Sequence, residues 1–127
     1  RAFALVRQGV ECAEVESAAH EFRRNEGYGD SLLHRTGHGF GLGNHEGPWV
    51  ADGSEDVLQE NMLISLEPGI YLPGVGGVRH SDTVLVTRDG YELLTRYPTD
   101  IEALTIRAPK PFARLRGKLV RRAVGIK

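Results

Sequence analysis

The sequence predicts an α+β fold, with helix first and antiparallel strands after it. Three observations carry this. Val15, Ala18, Ala19 and Phe22 recur at helical spacing with Glu and Arg between them. From residue 32 onward the pattern changes to alternation, the signature of extended chain. Finally, Arg88-Asp89-Gly90 marks a tight turn between two strand-like runs.

Taken in order, Arg1 to Gln8 reads as helix and Gly9 is placed to end it. No initiator Met or capping residue precedes it, so the chain reads as a fragment cut inside a helix. The amphipathic helix follows from about Ala13 to Asn25, with Gly27 where a C-cap wants a residue tolerant of positive φ. His20 on this helix is read as a boundary side chain, not a ligand. Leu32 to Leu42 is expected to be extended, with Leu32, His34, Thr36, His38, Phe40 and Leu42 on one side. At 3.3 Å per residue His34 and His38 then lie about 13 Å apart, too far to share one metal unless the glycines bend the strand.

In the next strand Met62, Ile64 and Leu66 share one face, and Leu63, Ser65 and Glu67 the other. With the first face in the core, Glu67 is aimed at a cleft or at solvent. Pro68 ends pairing because it has no N–H to donate. Gly74 to Gly77 forms a turn, a strand runs from about Val78 to Thr87, and Tyr91 to Thr95 returns as its hairpin partner.

The 127 residues are one domain's worth of chain, 40% hydrophobic and 26% charged, as in a soluble globular protein. No apolar run approaches the roughly 18 residues needed to cross a bilayer, and no signal peptide precedes the first helix. The one cysteine, Cys12, excludes an internal disulfide and suits a cytoplasmic location. Charge is uneven. Residues 110–127 carry seven basic residues and no acid, leaving −8 on residues 1–109 within the net −1. Phe112, Leu115 and Leu119 would give this tail a basic amphipathic face, but Gly117 and Gly125 weaken a helix there. A solvated extension is the preferred reading over a membrane-surface or nucleic-acid role.

The chemistry concentrates in Thr36-Gly37-His38-Gly39-Phe40-Gly41-Leu42-Gly43-Asn44-His45-Glu46-Gly47-Pro48 and, about twenty residues later, Ser65-Leu66-Glu67-Pro68-Gly69. Each glycine costs a helix interior roughly 1 kcal/mol against Ala, so four of them between 37 and 43 rule out a stable helix. His38 and His45 are therefore not the paired ligands of a helical His-Glu-x-x-His zinc motif, and the chain contains no such motif.

Gly-His-Gly-x-Gly-Leu, a second His seven residues after the first, Glu-Pro-Gly, and Gly77-Val78-Arg79 followed by Asp82 resemble the catalytic domain of Xaa-Pro aminopeptidases and prolidases. Their wider family includes methionine aminopeptidase and creatinase. The resemblance runs from about Gly9 to Leu104. It implies half of a pita-bread fold, helices packed on a curved antiparallel β-sheet, with residues 1–109 as the C-terminal half of the catalytic domain and 110–127 as a basic extension. It further implies a metallopeptidase that cleaves between an N-terminal residue and proline, acting on small peptides and working as a homodimer, with neither nucleic acid nor a membrane span among its partners.

The same resemblance assigns roles residue by residue. His38 and Glu67 match metal ligands of a two-ion site that takes Mn²⁺, Co²⁺ or Zn²⁺. His45 matches a proton donor or electrostatic stabiliser beside the scissile bond, a role suited to a group titrating near neutrality. His34 and Arg79 match residues lining the substrate pocket. Two departures stand out. The strand position that supplies the family's bridging carboxylate is Ser81, and the two Asp ligands precede the segment in which this chain begins. With at most two of five ligands, the chain by itself is expected to be inactive. Ser81 also favours a creatinase-like C–N hydrolase with one metal or none, and a non-catalytic pita-bread binding domain is the third reading.

Overall fold

The computed structural model describes residues 1–106, with the single positions 119 and 122 beyond them. The helix predicted over residues 1–8 shrinks to a 3-10 turn at Ala2–Leu5. The reason lies in where the following amides go: Gln8 N–H donates to Thr87 O and Gly9 N–H to Leu58 O, so these amides are claimed by distant segments and not by a helix. Helix α1 spans Cys12–Asn25, one residue longer at its start than expected. Gly27 ends it at φ 86°, its N–H donating to Arg24 O.

The buried face of α1 is rotated from the one the apolar spacing predicts. Cys12, Val15, Glu16, Ala19 and Arg23 are buried, while Phe22 is 46% exposed. Glu16 and Arg23 cause the rotation. Glu16 Oε2 accepts the Thr36 N–H at 2.7 Å, and Arg23 donates to Ala19 O, Gly69 O and Thr36 Oγ1 at 3.0, 3.1 and 3.1 Å. Charged groups tolerate burial when hydrogen-bonded in this way. His20 sits at the boundary as expected, its Nε2 2.8 Å from Glu16 Oε1.

Among the described residues seven strands follow: β1 Gly37–Gly39, β2 Glu46–Val50, β3 Leu63–Leu66, β4 Gly69–Leu72, β5 Gly76–Arg79, β6 Asp82–Val86 and β7 Tyr91–Leu93. Every pairing is antiparallel. Five strands form one sheet in the order β2-β1-β3-β6-β7, and β4 and β5 pair separately. The core between α1 and the large sheet is built from Cys12, Val15, Val50, Leu58, Ile64, Leu66, Val84 and Val86, all 1% exposed or less. Ile64 and Leu66 point into it as the alternation predicts. The β6–β7 hairpin also closes as predicted, with Thr87 N–H donating to Gly90 O at 2.9 Å.

Two predicted strands are corrected. The single strand over residues 32–42 is reduced to β1, and Thr36, Gly37, His38 and Gly39 are all buried with no alternation. Gly37 and Gly39 explain this: a Cβ on Gly37 would collide with the Ser65 carbonyl oxygen, and one on Gly39 with that of Gly47. Backbone packs against backbone on both sides. The second correction splits Val78–Thr87 into β5 and β6 at His80–Ser81, opposite Pro68. Pro68 has no N–H to continue the ladder. The pairs Leu66 with Asp82 and Gly69 with Arg79 nonetheless keep one register, which sets Ser81 opposite Glu67 across the gap.

Residues Arg1–Tyr97 form one compact unit and Pro98–Lys127 a second, in which α2 is a single turn at Ile101–Leu104. The basic tail over 110–127, with its amphipathic pattern, lies outside the described residues apart from the two positions named above.

Candidate metal centre

His38 is the one side chain that β1 carries. Its backbone N–H donates to Ser65 Oγ at 3.0 Å, and the strand holds it between β2 and β3. Its ring Nδ1 lies 3.0 Å from Gly39 O. A carbonyl oxygen only accepts, so Nδ1 carries a proton, and in the neutral ring Nε2 presents a lone pair. That lone pair faces Glu67 Oε1 at 3.4 Å. Two acceptors face each other, and a proton or a cation between them resolves the contact.

Glu67 stands at the end of β3, where Pro68 stops the ladder. Its own N–H donates to Thr36 O at 2.6 Å, which ties the Glu67 backbone to the residue two before His38. The side chain is 14% exposed and has left the core, as predicted from its face of the strand. On its far side Arg79 Nη1 lies 3.6 Å from Glu67 Oε2, bringing the half-exposed Arg79 into the same site.

His45 reaches the site from an exposed loop. Its ring centroid is 4.1 Å from that of His38, tilted by 42°, and Phe40 packs edge-on against His38 at 5.0 Å. Asn44 Nδ2 lies 3.2 Å from His45 Nδ1. An amide NH₂ donates, so His45 Nδ1 accepts and Nε2 carries the proton, the opposite tautomer to His38. Glu46 folds back over the loop, its Oε2 accepting the Gly43 N–H at 2.8 Å.

Among the described residues His38, His45 and Glu67 form a group whose ligand atoms all lie within 4.8 Å of one another. Imidazole and carboxylate are the donor set of Mn²⁺, Co²⁺ and Zn²⁺. Ligand atoms about 2.1 Å from one ion are separated by roughly 3 to 3.4 Å at octahedral to tetrahedral angles. The 3.4 Å between His38 Nε2 and Glu67 Oε1 fits this. The Nδ1–H to carbonyl bond of His38 is also the orienting contact that ligating imidazoles characteristically make.

His34 does not join that group. Its Nδ1–H donates to Arg35 O at 2.7 Å, and its Nε2 accepts the Tyr71 hydroxyl at 2.9 Å. Both rings lie over Gly69, two residues after Glu67, where any Cβ would meet Tyr71 and His34. Tyr71 is the site residue that sequence reasoning missed. No local sequence signal marks it, since only the pairing of β4 with β5 sets Tyr71 directly opposite Gly77, whose bare backbone the ring covers. Ser81 is exposed, and His80 Nε2 pairs instead with Asp82 Oδ2 at 3.2 Å.

Comparison with known proteins places these residues in a family. The chain is 46% identical over 96 residues to the Xaa-Pro dipeptidase of Pyrococcus furiosus, covering 76% of this chain and 28% of that protein. It is 40% identical over 106 residues to the Xaa-Pro dipeptidase of Lactobacillus helveticus, covering 84% and 29%. The crystal structure of X-Pro aminopeptidase from Thermotoga maritima superposes with a TM-score of 0.76 at 40% identity, over 79% of this chain and 28% of that one. The chain thus spans less than a third of the length of these relatives. Its architecture, α1 on an antiparallel sheet, is that of the pita-bread fold. Residues 1–88 match metallopeptidase family M24, and the chain belongs to that family.

Proposed function

We propose that the complete protein is a metal-dependent hydrolase of Xaa-Pro peptides, and that this chain supplies two of its metal ligands and its proton donor. The observation that carries the reading is the His38 Nε2 to Glu67 Oε1 approach at 3.4 Å, with Nδ1 of His38 held by the Gly39 carbonyl and Nε2 turned toward the carboxylate. His38 and Glu67 would hold a divalent ion, manganese in the first instance and cobalt or zinc in the second. When bound, the ion supplies Lewis acidity at the peptide carbonyl and activates water.

The chain's own groups divide the remaining work. His45 Nε2–H donates a proton to the proline nitrogen as the C–N bond breaks and water's oxygen joins the carbonyl carbon, one water proton staying on the new carboxylic acid and the other restoring His45. Arg79 holds the substrate carboxylate through its planar fork. His34, oriented by Tyr71, contacts the substrate beside Gly69. The catalytic-domain portion is taken as residues 1–109, the active form as a homodimer and the compartment as the cytoplasm. Cys12, a buried free thiol, is in keeping with the last. No helix among the described residues is long and apolar enough to cross a membrane.

The test is release of free proline from Xaa-Pro dipeptides by the complete protein, abolished by a chelator and restored by Mn²⁺. Failure of the manganese-loaded protein to release proline overturns the reading. A creatinase-like C–N hydrolase is the second reading, favoured by Ser81 opposite Glu67. Metal analysis separates the two, since two tightly bound ions per chain exclude the second. Ser81→Glu sharpens this: in a metal enzyme it should tighten metal binding by at least tenfold, since even outer contacts to ligands are worth about 10–100-fold.

A further inference from the structure

We infer that Arg23 is a positioning residue for the candidate metal centre: its guanidinium braces the strand bearing His38 against the segment bearing Glu67. The inference rests on the metal-ligand reading of those two residues. Thr36 lies two residues before His38, and Gly69 two residues after Glu67. Arg23 Nη2 donates to Thr36 Oγ1 and Nη1 to Gly69 O, each at 3.1 Å, so one planar group spans both segments. Its Nε–H donates to Ala19 O at 3.0 Å, fixing the fork to α1.

Thr36 is the point at which the segments meet. Its N–H donates to Glu16 Oε2 at 2.7 Å, its hydroxyl accepts from Arg23, and its carbonyl accepts the Glu67 N–H at 2.6 Å. Thr36 is 0% exposed, Glu16 1% and Arg23 6%. The brace lies where the sheet is weakest. Pro68 lies between β3 and β4 and breaks the ladder there, so the backbone bearing Glu67 has lost its pairing with β6 and has not yet begun the pairing of β4 with β5. What holds it there is the Thr36 carbonyl, with Arg23 joining Thr36 to Gly69 just beyond the gap.

Packing α1 on the sheet does not require these charges. Well-packed apolar residues of similar volume commonly hold elements together as well as a buried ionic group or better. What apolar residues do not do is fix the distance between Thr36 and Gly69. Lysine would not do it either, because an ammonium on a flexible stem lacks the rigid fork.

The test uses the complete protein, stripped of metal and titrated with Co²⁺ while its visible absorption is followed. In a second measurement the His38 ring signals of the metal-free protein are recorded by NMR. Arg23→Lys should keep the wild-type circular dichroism spectrum, weaken Co²⁺ binding at least tenfold, in the range of outer contacts to ligands, and shift the His38 ring signals. Glu16→Gln keeps an acceptor for the Thr36 N–H and should stay within about threefold, as the conservative control. A folded Arg23→Lys protein that binds Co²⁺ within twofold of wild type overturns the inference. Should Arg23→Lys fail to fold, Thr36→Val, which removes only the hydroxyl contact, is judged by the same criterion. If wild-type protein takes up no Co²⁺, the metal reading falls, and the His38 signals alone decide: shifted in Arg23→Lys they sustain the brace, unmoved they overturn it.

Discussion

His38 and His45 present rings 4.1 Å apart, yet the molecule holds them by opposite means. His38 is 3% exposed on a strand clamped from both sides, with its Nδ1 proton on a backbone carbonyl. His45 is exposed on a glycine-rich loop, oriented by the neighbouring Asn44 amide, with its proton on Nε2. The difference matches what each would have to do. A ligand must offer a lone pair at a fixed distance, whereas a proton donor must carry a proton, lose it and regain it from solvent.

The largest expected effect tests the fixed side of that contrast. Glu67→Ala or His38→Ala in the complete protein should weaken metal binding by 100-fold or more, because removing a ligand costs at least as much as losing an orienting contact, about 10–100-fold. Titration with Co²⁺ measures it. His45→Gln should instead lower kcat by about 10²–10⁴, the usual share of a general acid, and leave metal affinity within threefold. Should His45→Gln weaken metal binding as much as His38→Ala does, the contrast is broken and both imidazoles are ligands.

A smaller effect separates the two backbones. Gly39→Ala puts a Cβ against the Gly47 carbonyl and should cost about 1–3 kcal/mol or more, the usual penalty of overpacking. Gly41→Ala meets only the carboxylate end of Glu46, which can swing away, and should fall within about 0.5 kcal/mol of wild type. Urea unfolding of both variants checks this, and equal losses would mean that the loop is as rigid as the strand.

The smallest effect concerns α1, on which the strand-held side rests. Burial, helped by the Asp56 carboxylate, pushes the Cys12 thiol from its ordinary value of 9.0 up to about 12. The folded state therefore keeps its proton longer than the unfolded chain does. The resulting stability is fully present below pH 9 and is lost as pH rises from 9 toward 12. Cys12→Ser or Cys12→Ala should flatten that alkaline decline in the urea midpoint, and native protein at pH 8.5 should resist iodoacetamide until unfolded.

The legible and illegible parts of the sequence divide along the same line. Alternation placed Ile64 and Leu66 in the core and turned Glu67 out of it, although Ser65 on the Glu67 face is buried too, its hydroxyl accepting the His38 N–H. The Gly-His-Gly motif and its downstream partners pointed to His38, His45, Glu67 and Arg79, and the fold brings these four together. The period failed where backbone packs on backbone. Thr36 to Gly39 is buried on every side because glycines remove the side chains that alternation would sort. It failed again on α1, where Glu16 and Arg23 face inward to serve Thr36 and Gly69, and polarity alone assigns such residues to solvent. The break at His80–Ser81 was hidden for a different reason, since its cause, Pro68, sits on the partner segment. Tyr71 went unread because its importance comes from a cross-strand glycine and from His34, neither adjacent in sequence.

The three-residue strand β1 has a consequence for descent as well as for chemistry. Its one side chain is that of His38, and on either side of it lies a position that accepts no atom beyond hydrogen. A mutation there cannot be absorbed by a neighbour changing rotamer, because the neighbours are the carbonyl groups of Ser65 and Gly47. Positions 37 and 39 therefore have no neutral paths leading away from them, while positions 41 and 43, facing the movable carboxylate of Glu46, do. Among diverging copies of this chain, drift should pool in the loop and leave the strand untouched.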